Sequence, residues 1–345
     1  MSASLWGGRA TTQIASHEAT GAELRKRPSW KRILLNMVAS TSLLATILIT
    51  APANGQAQTT AGQQKIVGII SGGVKGTYVR IAQNLADVLD SEELRVLPML
   101  GRGSQQNIRD LLTINGIDIA IVQSDVLDYY KNSGEIEGIE ASIRYIAKLY
   151  NEEVHVVVRK DLQSVKQLEG APVSVGRKGS GTEMTANTLF KAFGISIRSV
   201  NSGAEEALEA LKAGDIDAAV FVVGKPGSAI REIKPSDGLK LLGITLGKSV
   251  QAAYFPTEFT HADYPNLVPS GTRVPSAAVG AVMAVFNWKK GSPRYNAVAD
   301  FTKGLSTAID LLQSGKPYHP KWQSVDLSVE VPGWTRFEPA KFLAR

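Results

Sequence analysis

The chain has 345 residues, with 38 Lys and Arg against 32 Asp and Glu, four His and no Cys, for a formal net charge of +6. Single cores stop growing near ~250–300 residues, so this length predicts two folded lobes or domains. An apolar fraction of 43% with 20% charged residues argues against pervasive disorder, collagen-like sequence and a polytopic membrane protein. The absence of Cys excludes disulfides, thiolate metal sites and cysteine nucleophiles.

The charge is unevenly placed. Residues 1–57 hold Arg9, Arg25, Lys26, Arg27, Lys31 and Arg32 against Glu18 and Glu23, whereas 32 basic residues face 30 acidic ones from Gln58 onward. The basic cluster abuts the apolar run 33–49, and the small residues Ala51-Pro52-Ala53 and Gly55-Gln56-Ala57 follow. Basic, apolar and then small is the order of a secretory signal. The run has 17 residues and is interrupted by Asn36, Ser40, Thr41, Ser42 and Thr46, short of the ~20 apolar residues of a stable span. Residues 1–57 therefore read as a cleaved signal peptide, with an uncleaved membrane anchor as the alternative. The mature product is expected to be periplasmic and nearly neutral.

From Lys65 the sequence alternates short apolar runs with helical patterns. Residues 65–70 predict a strand, followed by a Gly-rich turn and a helix over 78–89. A strand over 94–100, a second Gly turn and a helix over 105–114 come next. Strands are expected at 117–122, 145–149, 154–158, 173–175, 218–223 and 239–244. Strands separated by helices of ~10–15 residues argue for βαβ units and mainly parallel sheets. Four prolines (256, 265, 269, 275) precede an apolar stretch at 277–288. A helix over 293–314 and a Pro- and Trp-rich tail that wraps a lobe complete the chain.

One internal echo bears on domain organisation. In both 111–120 and 208–220 a helix end turns at Gly (Gly116, Gly214) and enters a strand at an Asp, Asp118 or Asp217. An ordinary helix-to-strand loop and two lobes of like architecture both account for it. With crossings near 159 and 250, the chain divides into 63–158 (lobe one), 159–250 (lobe two) and 251–345 (return to lobe one and tail).

Catalytic signatures are absent. There is no Gly-x-Ser-x-Gly, and Gly247-Lys248-Ser249 lacks the upstream Gly of a P-loop. His155, His261 and His319 are not paired at helical spacing with another ligand, so no metal site is expected. His155, in an apolar strand, reads as a core histidine. The pairs Glu152-Glu153 and Glu205-Glu206 read as solvated faces. Basic residues form no stripe interleaved with aromatics, so no nucleic-acid partner is expected. What recurs is a strand, a turn of Gly, Ser, Thr and Asn, and a helix: 71–78, 101–107, 123–125, 176–183 and 224–228. In open α/β sheets ligands bind beyond the carboxyl ends of strands, where helix N-termini offer free N–H groups and a positive dipole end. Such turns suit a small anion. Helix capping is the competing use of their hydroxyls, and Ser180-Gly181-Thr182-Glu183, Ser202-Gly203-Ala204-Glu205 and Ser164-Val165-Lys166-Gln167 all fit the S/T-x-x-E/Q box.

At these turns the sequence resembles the TAXI-type solute receptors of tripartite (TRAP) transporters. The shared motifs, in order, are Gly76-Thr77-Tyr78, Gly103-Ser104-Gln105-Gln106-Asn107, the stretch 118–125 (DIAIVQSD), the stretch 175–183, and Asp217-Ala218 with Gly224-Lys225-Pro226. The sequence departs from the family pattern at Gly73-Val74-Lys75, where small hydroxyl residues are usual. The resemblance implies an α/β protein of the type II periplasmic-binding-protein fold, with two lobes, a hinge and a central ligand cleft. It implies a non-enzymatic monomer without a cofactor. Such a receptor closes like a Venus flytrap on a small organic-acid or amino-acid ligand, glutamate-like or a 2-oxo dicarboxylate, and delivers it to TRAP membrane permease subunits. Carried over residue by residue, the ligand faces Ser71, Thr77, Tyr78, Ser104, Asn107, Gln123 and Ser124 from lobe one. Ser180, Gly181 and Thr182 meet it from lobe two, and Gly224 and Pro226 shape the lobe-two wall. Arg102 and Arg177 are not assigned as a carboxylate clamp. An extracytoplasmic sensor for a membrane kinase and an enzyme on the same fold are the alternatives.

Overall fold

A computed structural model describes residues 64–247, 250–251 and 253–344; the signal peptide expected at 1–57 lies outside the described residues. The chain opens with β1 (Lys65–Ile70), α1 (Thr77–Leu89), β2 (Leu94–Met99), α2 (Ser104–Thr113) and β3 (Ile119–Gln123). Both pairings are parallel, in the order β2-β1-β3. After α3 (Ser124–Ser133), α4 (Ile139–Ser142) and β4 (Ile143–Arg159), the pattern returns as β5 (Pro172–Ser174), α5 (Gly181–Ala192), β6 (Arg198–Val200), α6 (Ala204–Ala213) and β7 (Ala218–Val223). Its parallel order is β6-β5-β7.

The two βαβαβ units thus share one topology, which accounts for the echo around Asp118 and Asp217. Each Asp donates its backbone N–H to the first-strand region of its unit, Asp118 to Gly68 O at 2.9 Å and Asp217 to Pro172 O at 2.9 Å. Each carboxylate then pairs with an arginine, Asp118 with Arg294 and Asp217 with Arg159, both at 2.8 Å. The left-handed turn falls on Gly116 (φ 96°) and Gly214 (φ 82°), a conformation that costs L side chains strain.

The chain continues through α7 (Ser228–Arg231), β8 (Leu239–Leu241), β9 (Phe255–Thr260), β10 (Arg273–Phe286) and α8 (Pro293–Gln313). Strands β4 and β10 run antiparallel to each other through both lobes. The separate strands expected at 145–149 and 154–158 are one strand of 17 residues. The polar trio Asn151-Glu152-Glu153 does not break it, because its backbone is paired with β10 throughout and with β7 at Glu153.

The core changes along these strands. Ile146, Ala147, Leu149 and Tyr150 pack with Met283, Val285 and Phe301 in lobe one, whereas Val154, Val156 and Val158 pack with Ala277, Val279 and Leu189 in lobe two. The crossings lie at Asn151–Glu153 on β4 and near Gly280 on β10, where the register shifts, not near 159 and 250. Strands β8 and β9 extend the lobe-two ends of β4 and β10, so the chain returns only within β10. In β10 the crossing falls within an apolar run and carries no sequence mark, and in β4 it falls at the polar trio, which reads as a break between two strands.

The tail lies on lobe one. Trp322, Val325, Phe337 and Leu343 join the core beside α8, and Phe337 N–H donates to Tyr145 O at 2.8 Å. Lys321 enters the crossing, where its Nζ is 2.6 Å from Glu153 Oε1. Glu153 Oε2 also accepts the Lys225 N–H at 2.7 Å. Breaking a buried pair by removing one partner strands the other charge. Lys321→Met is therefore expected to cost about 3 kcal/mol at pH 8. The loss shrinks at pH 5, because burial holds the Glu153 carboxyl above its ordinary range and a protonated Glu153 needs no counter-charge. Denaturant melts at the two pH values check this; an equal loss at both contradicts it.

Candidate functional site

The carboxyl ends of the strands of both lobes converge on one cavity of about 210 Å³. Lobe one lines it with the β1–α1 turn from Gly72 to Tyr78, the loop Gly101–Ser104, Gln123 and Glu152. Lobe two adds Ser174, Gly176, Arg177, Ser180–Thr182, the N-terminus of α6 and the β7–α7 turn. Helices α1 and α2 start here with glycine N-caps, Gly76 and Gly103, and neither has a side-chain cap. A helix leaves its first four N–H groups without intrahelical partners, so these two termini face the cavity with donors and a positive dipole end. Helix α5 is different: Ser180 Oγ accepts the Glu183 N–H at 3.1 Å. At α6 the cap is Gly203, with the Glu206 carboxylate accepting its N–H. The box expected at Ser202/Glu205 is therefore displaced by one residue, and Ser202 instead meets Ser174 Oγ at 2.8 Å.

The lobes touch around this cavity. Gln105 Nε2 donates to Ser180 O at 2.9 Å, the Gln106 N–H to Gly179 O at 3.0 Å, and Ser228 Oγ to Lys75 O at 2.8 Å. Lys75 also pairs with Glu205 at 2.5 Å and with Glu232 at 3.4 Å; all three are exposed, so these pairs contribute little. Deeper in, a polar chain crosses the interface. Ser104 Oγ donates to Gln123 Oε1 at 3.2 Å, Gln123 Nε2 to Thr185 Oγ1 at 3.1 Å, and Thr185 to Asp125 Oδ2 at 2.7 Å. Tyr254 also donates to Asp125 Oδ2, at 2.8 Å.

Seven residues expected at the ligand line the cavity: Thr77, Tyr78, Ser104, Gln123, Ser180, Gly181 and Thr182. The other five do not. Ser71 Oγ donates to Met99 O at 2.7 Å. Asn107 donates through Nδ2 to Ser71 O and Ile121 O, at 2.6 and 2.9 Å, and so fixes the two lobe-one turns. Ser124 packs on Gly280, and Gly224 lies against Lys321 and Tyr150; Pro226 follows a cis peptide bond.

Among the polar lining residues outside that expected set, Glu152, Arg177 and Arg102 bear most on a ligand. Among the described residues no carboxylate lies within ion-pair distance of either arginine. Glu152 corrects the sequence reading most. Instead of a solvated face, Glu152 and Glu153 are each 3% exposed, because Asn151-Glu152-Glu153 sits mid-strand and not in a turn. Tyr78 OH donates to Glu152 Oε2 at 2.5 Å. Burial pushes the Glu152 carboxyl up to about 8, against the opposing Tyr78 bond. His155 is buried on lobe two, stacked on Phe259 at 4.3 Å and bonded to Tyr264 OH at 2.7 Å; burial lowers its ring to about 3.

Residues 69–286 match the NMT1-like family. The chain belongs to that family. A solved structure from Bordetella bronchiseptica RB50 aligns over 81% of this chain and 80% of its own, at 15% identity and a TM-score of 0.50. A periplasmic transporter aligns over 82% and 92%, at 13% identity and a TM-score of 0.47. A periplasmic sulfonate-binding protein from Methylobacillus flagellatus KT aligns over 76% of each chain, at 15% identity and a TM-score of 0.42. At such identities the likeness is one of fold. The NMT1-like chain has the type II periplasmic-binding-protein fold. Among the described residues no helix is long and apolar enough to cross a membrane.

The interface makes two predictions. A Cβ at Gly181 would lie 1.3 Å from Gln123 Oε1 and 2.7 Å from Ser104 Oγ. The Gln123 carboxamide is held at both ends, so Gly181→Ala breaks that chain and weakens closure by about 1–3 kcal/mol. X-ray scattering should show a larger radius of gyration with the lobes still folded; an unchanged radius contradicts this. Asp125 is fully buried, and desolvation raises its carboxyl from 3.8 to about 6. Between those two values the folded protein holds a proton that the unfolded chain has lost, so Asp125 favours folding less as pH rises through this window. Asp125→Asn, which keeps an acceptor for Thr185 and Tyr254, is expected to be about 2–3 kcal/mol more stable than the wild type at pH 8 and equal to it at pH 4. Melts at the two pH values decide.

Proposed function

We propose that this NMT1-like chain is an extracytoplasmic solute receptor that traps a small organic acid between its lobes and delivers it to a TRAP-type permease. The observation that carries the reading is the inter-lobe cavity with two glycine-capped helix N-termini, those of α1 and α2, facing into it. Donors fixed in a site of low dielectric bind a carboxylate without rearrangement. From Gln58 onward the charge is nearly balanced, so the preference for anions comes from these termini and from Arg177, not from bulk charge. The volume suits a solute of a few carbons.

Thr77, Tyr78, Ser104, Gln123, Ser180, Gly181 and Thr182 contact the solute, while Ser71 and Asn107 hold the turns that carry them. The lobes share strands β4 and β10, so opening is a bend at Asn151–Glu153 and near Gly280. A solute that touches both lobes stabilises the closed form by its differential affinity. The ordered TAXI-like motifs support delivery to a TRAP permease by a monomeric receptor, and the basic–apolar–small leader supports a periplasmic location.

The test is thermal melting of residues 58–345 against organic acids and amino acids. At a hundredfold excess over Kd the expected stabilisation is ~2.7 kcal/mol, about 4–5 °C for a chain of this size. Ser180→Ala with Thr182→Ala should reduce that shift, while loss of the α5 cap and of the Thr182 bond to the Val222 N–H lowers the unliganded midpoint by a few degrees. A panel in which no acid or amino acid moves the midpoint overturns the proposal.

A further inference from the structure

Glu152 sits in the cavity wall at the crossing of the lobes. Its Oε2 accepts from Tyr78 OH at 2.5 Å. Its Oε1 has no partner among the described residues and is not sealed from the cavity. No cation among the described residues pairs with it. The nearby Lys321 is 2.6 Å from Glu153 Oε1, and Lys225 Nζ is 3.1 Å from Asp263. The other ionisable groups that act on it are Tyr78 of α1, Tyr150 and Glu153 of β4, Lys321 of the tail and Asp125 of α3. Two of these are carboxyls, two are phenols, and the one cation is already paired.

A carboxylate buried without a counter-charge is strongly disfavoured, and such a group holds its proton instead. A neutral carboxyl fits the geometry. Its carbonyl oxygen accepts from Tyr78 OH, and its hydroxyl is left to donate into the cavity. The opposite demand comes from the uncapped N-termini of α1 and α2, which favour an anion there. An anion beside an ionised Glu152 would be repelled, whereas beside the neutral acid it gains a donor.

We infer that Glu152 is the specificity-determining group of the cleft: it holds a proton and donates it as a hydrogen bond to an anionic oxygen of the solute, so the acid binds only to the protonated receptor. This rests on the acid-receptor reading above and adds to it a proton linked to capture. Below the carboxyl's value of about 8 affinity for the anion is constant. Above it, affinity falls about tenfold per pH unit as the proton is lost.

The test uses succinate, 2-oxoglutarate and glutamate as probes, with affinities measured by calorimetry from pH 6.5 to 9.5. The wild type should bind at least one probe, with affinity about thirtyfold lower at pH 9.5 than at pH 7. Glu152→Gln keeps a neutral donor and should bind within about tenfold of the wild type at pH 7, with no slope. Glu152→Leu removes the donor and should weaken binding tenfold or more at pH 7. Infrared difference spectra of the unliganded wild type against Glu152→Gln at pH 7 should show the carbonyl band of one neutral carboxyl. A flat wild-type profile, a missing band, or loss of binding in Glu152→Gln overturns the inference; the last would mean that an ionised Glu152 meets a cationic solute. If no probe binds any variant at any pH although the band is present, the acid-receptor reading fails and takes the inference with it.

Discussion

Everything in this molecule hangs on the backbone ladder that joins β4 to β10. Two long antiparallel strands carry the cores of both lobes, so the lobes are two sets of helices and parallel strands hung on one pair of ribbons. The βαβαβ unit on each side can pack independently, but its position is fixed by those ribbons. The cavity lies where the two switch points face each other, which is where the turns after β1, β2, β5 and β7 come together. Polar residues at the crossing are buried by this arrangement, which favours those that find a partner there, although Asn151 Oδ1 has none among the described residues. Glu153 finds Lys321 and the Lys225 N–H, and Glu152 finds Tyr78.

The same constraint explains the glycines of the cleft. Where the lobes meet, backbone must approach side chain more closely than a Cβ allows. Gly103 adopts φ 117° against Ser180, and Gly181 faces the Gln123 carboxamide. Gly103 also keeps the terminus of α2 free of a side-chain cap, as Gly76 does for α1, where α5 carries one. One sequence choice thus serves two needs, close approach of the lobes and open N–H groups.

Much of this was legible in the sequence. Strand periodicity located β1, β3 and β7 to within two residues, and the Gly-Asp echo marked two units of equal topology. The Gly/Ser/Thr turns marked the cavity, and seven of the twelve residues taken from them line it. What was not legible has two physical causes. The crossing in β10 lies in a run that stays apolar and so leaves no trace, whereas the crossing in β4 lies at a polar trio that reads as a break between two strands. A carboxyl buried by neighbours distant in sequence looks like a solvated one, as Glu152 and Glu153 do. Ser71 and Asn107 show the converse case, in which polar residues at the right turns satisfy backbone carbonyls instead of a solute.

The central claim is that an acid is held between the lobes at the start of α1 and α2. A crystal structure of residues 58–345 grown with the organic acid that raises the melting temperature most tests it directly. The account predicts the acid's carboxylate within hydrogen-bond distance of first-turn N–H groups of α1 or α2, with Ser180–Thr182 closed over it. An acid bound outside the cleft, or held by one lobe with Gly181 drawn away from Gln123, would contradict it.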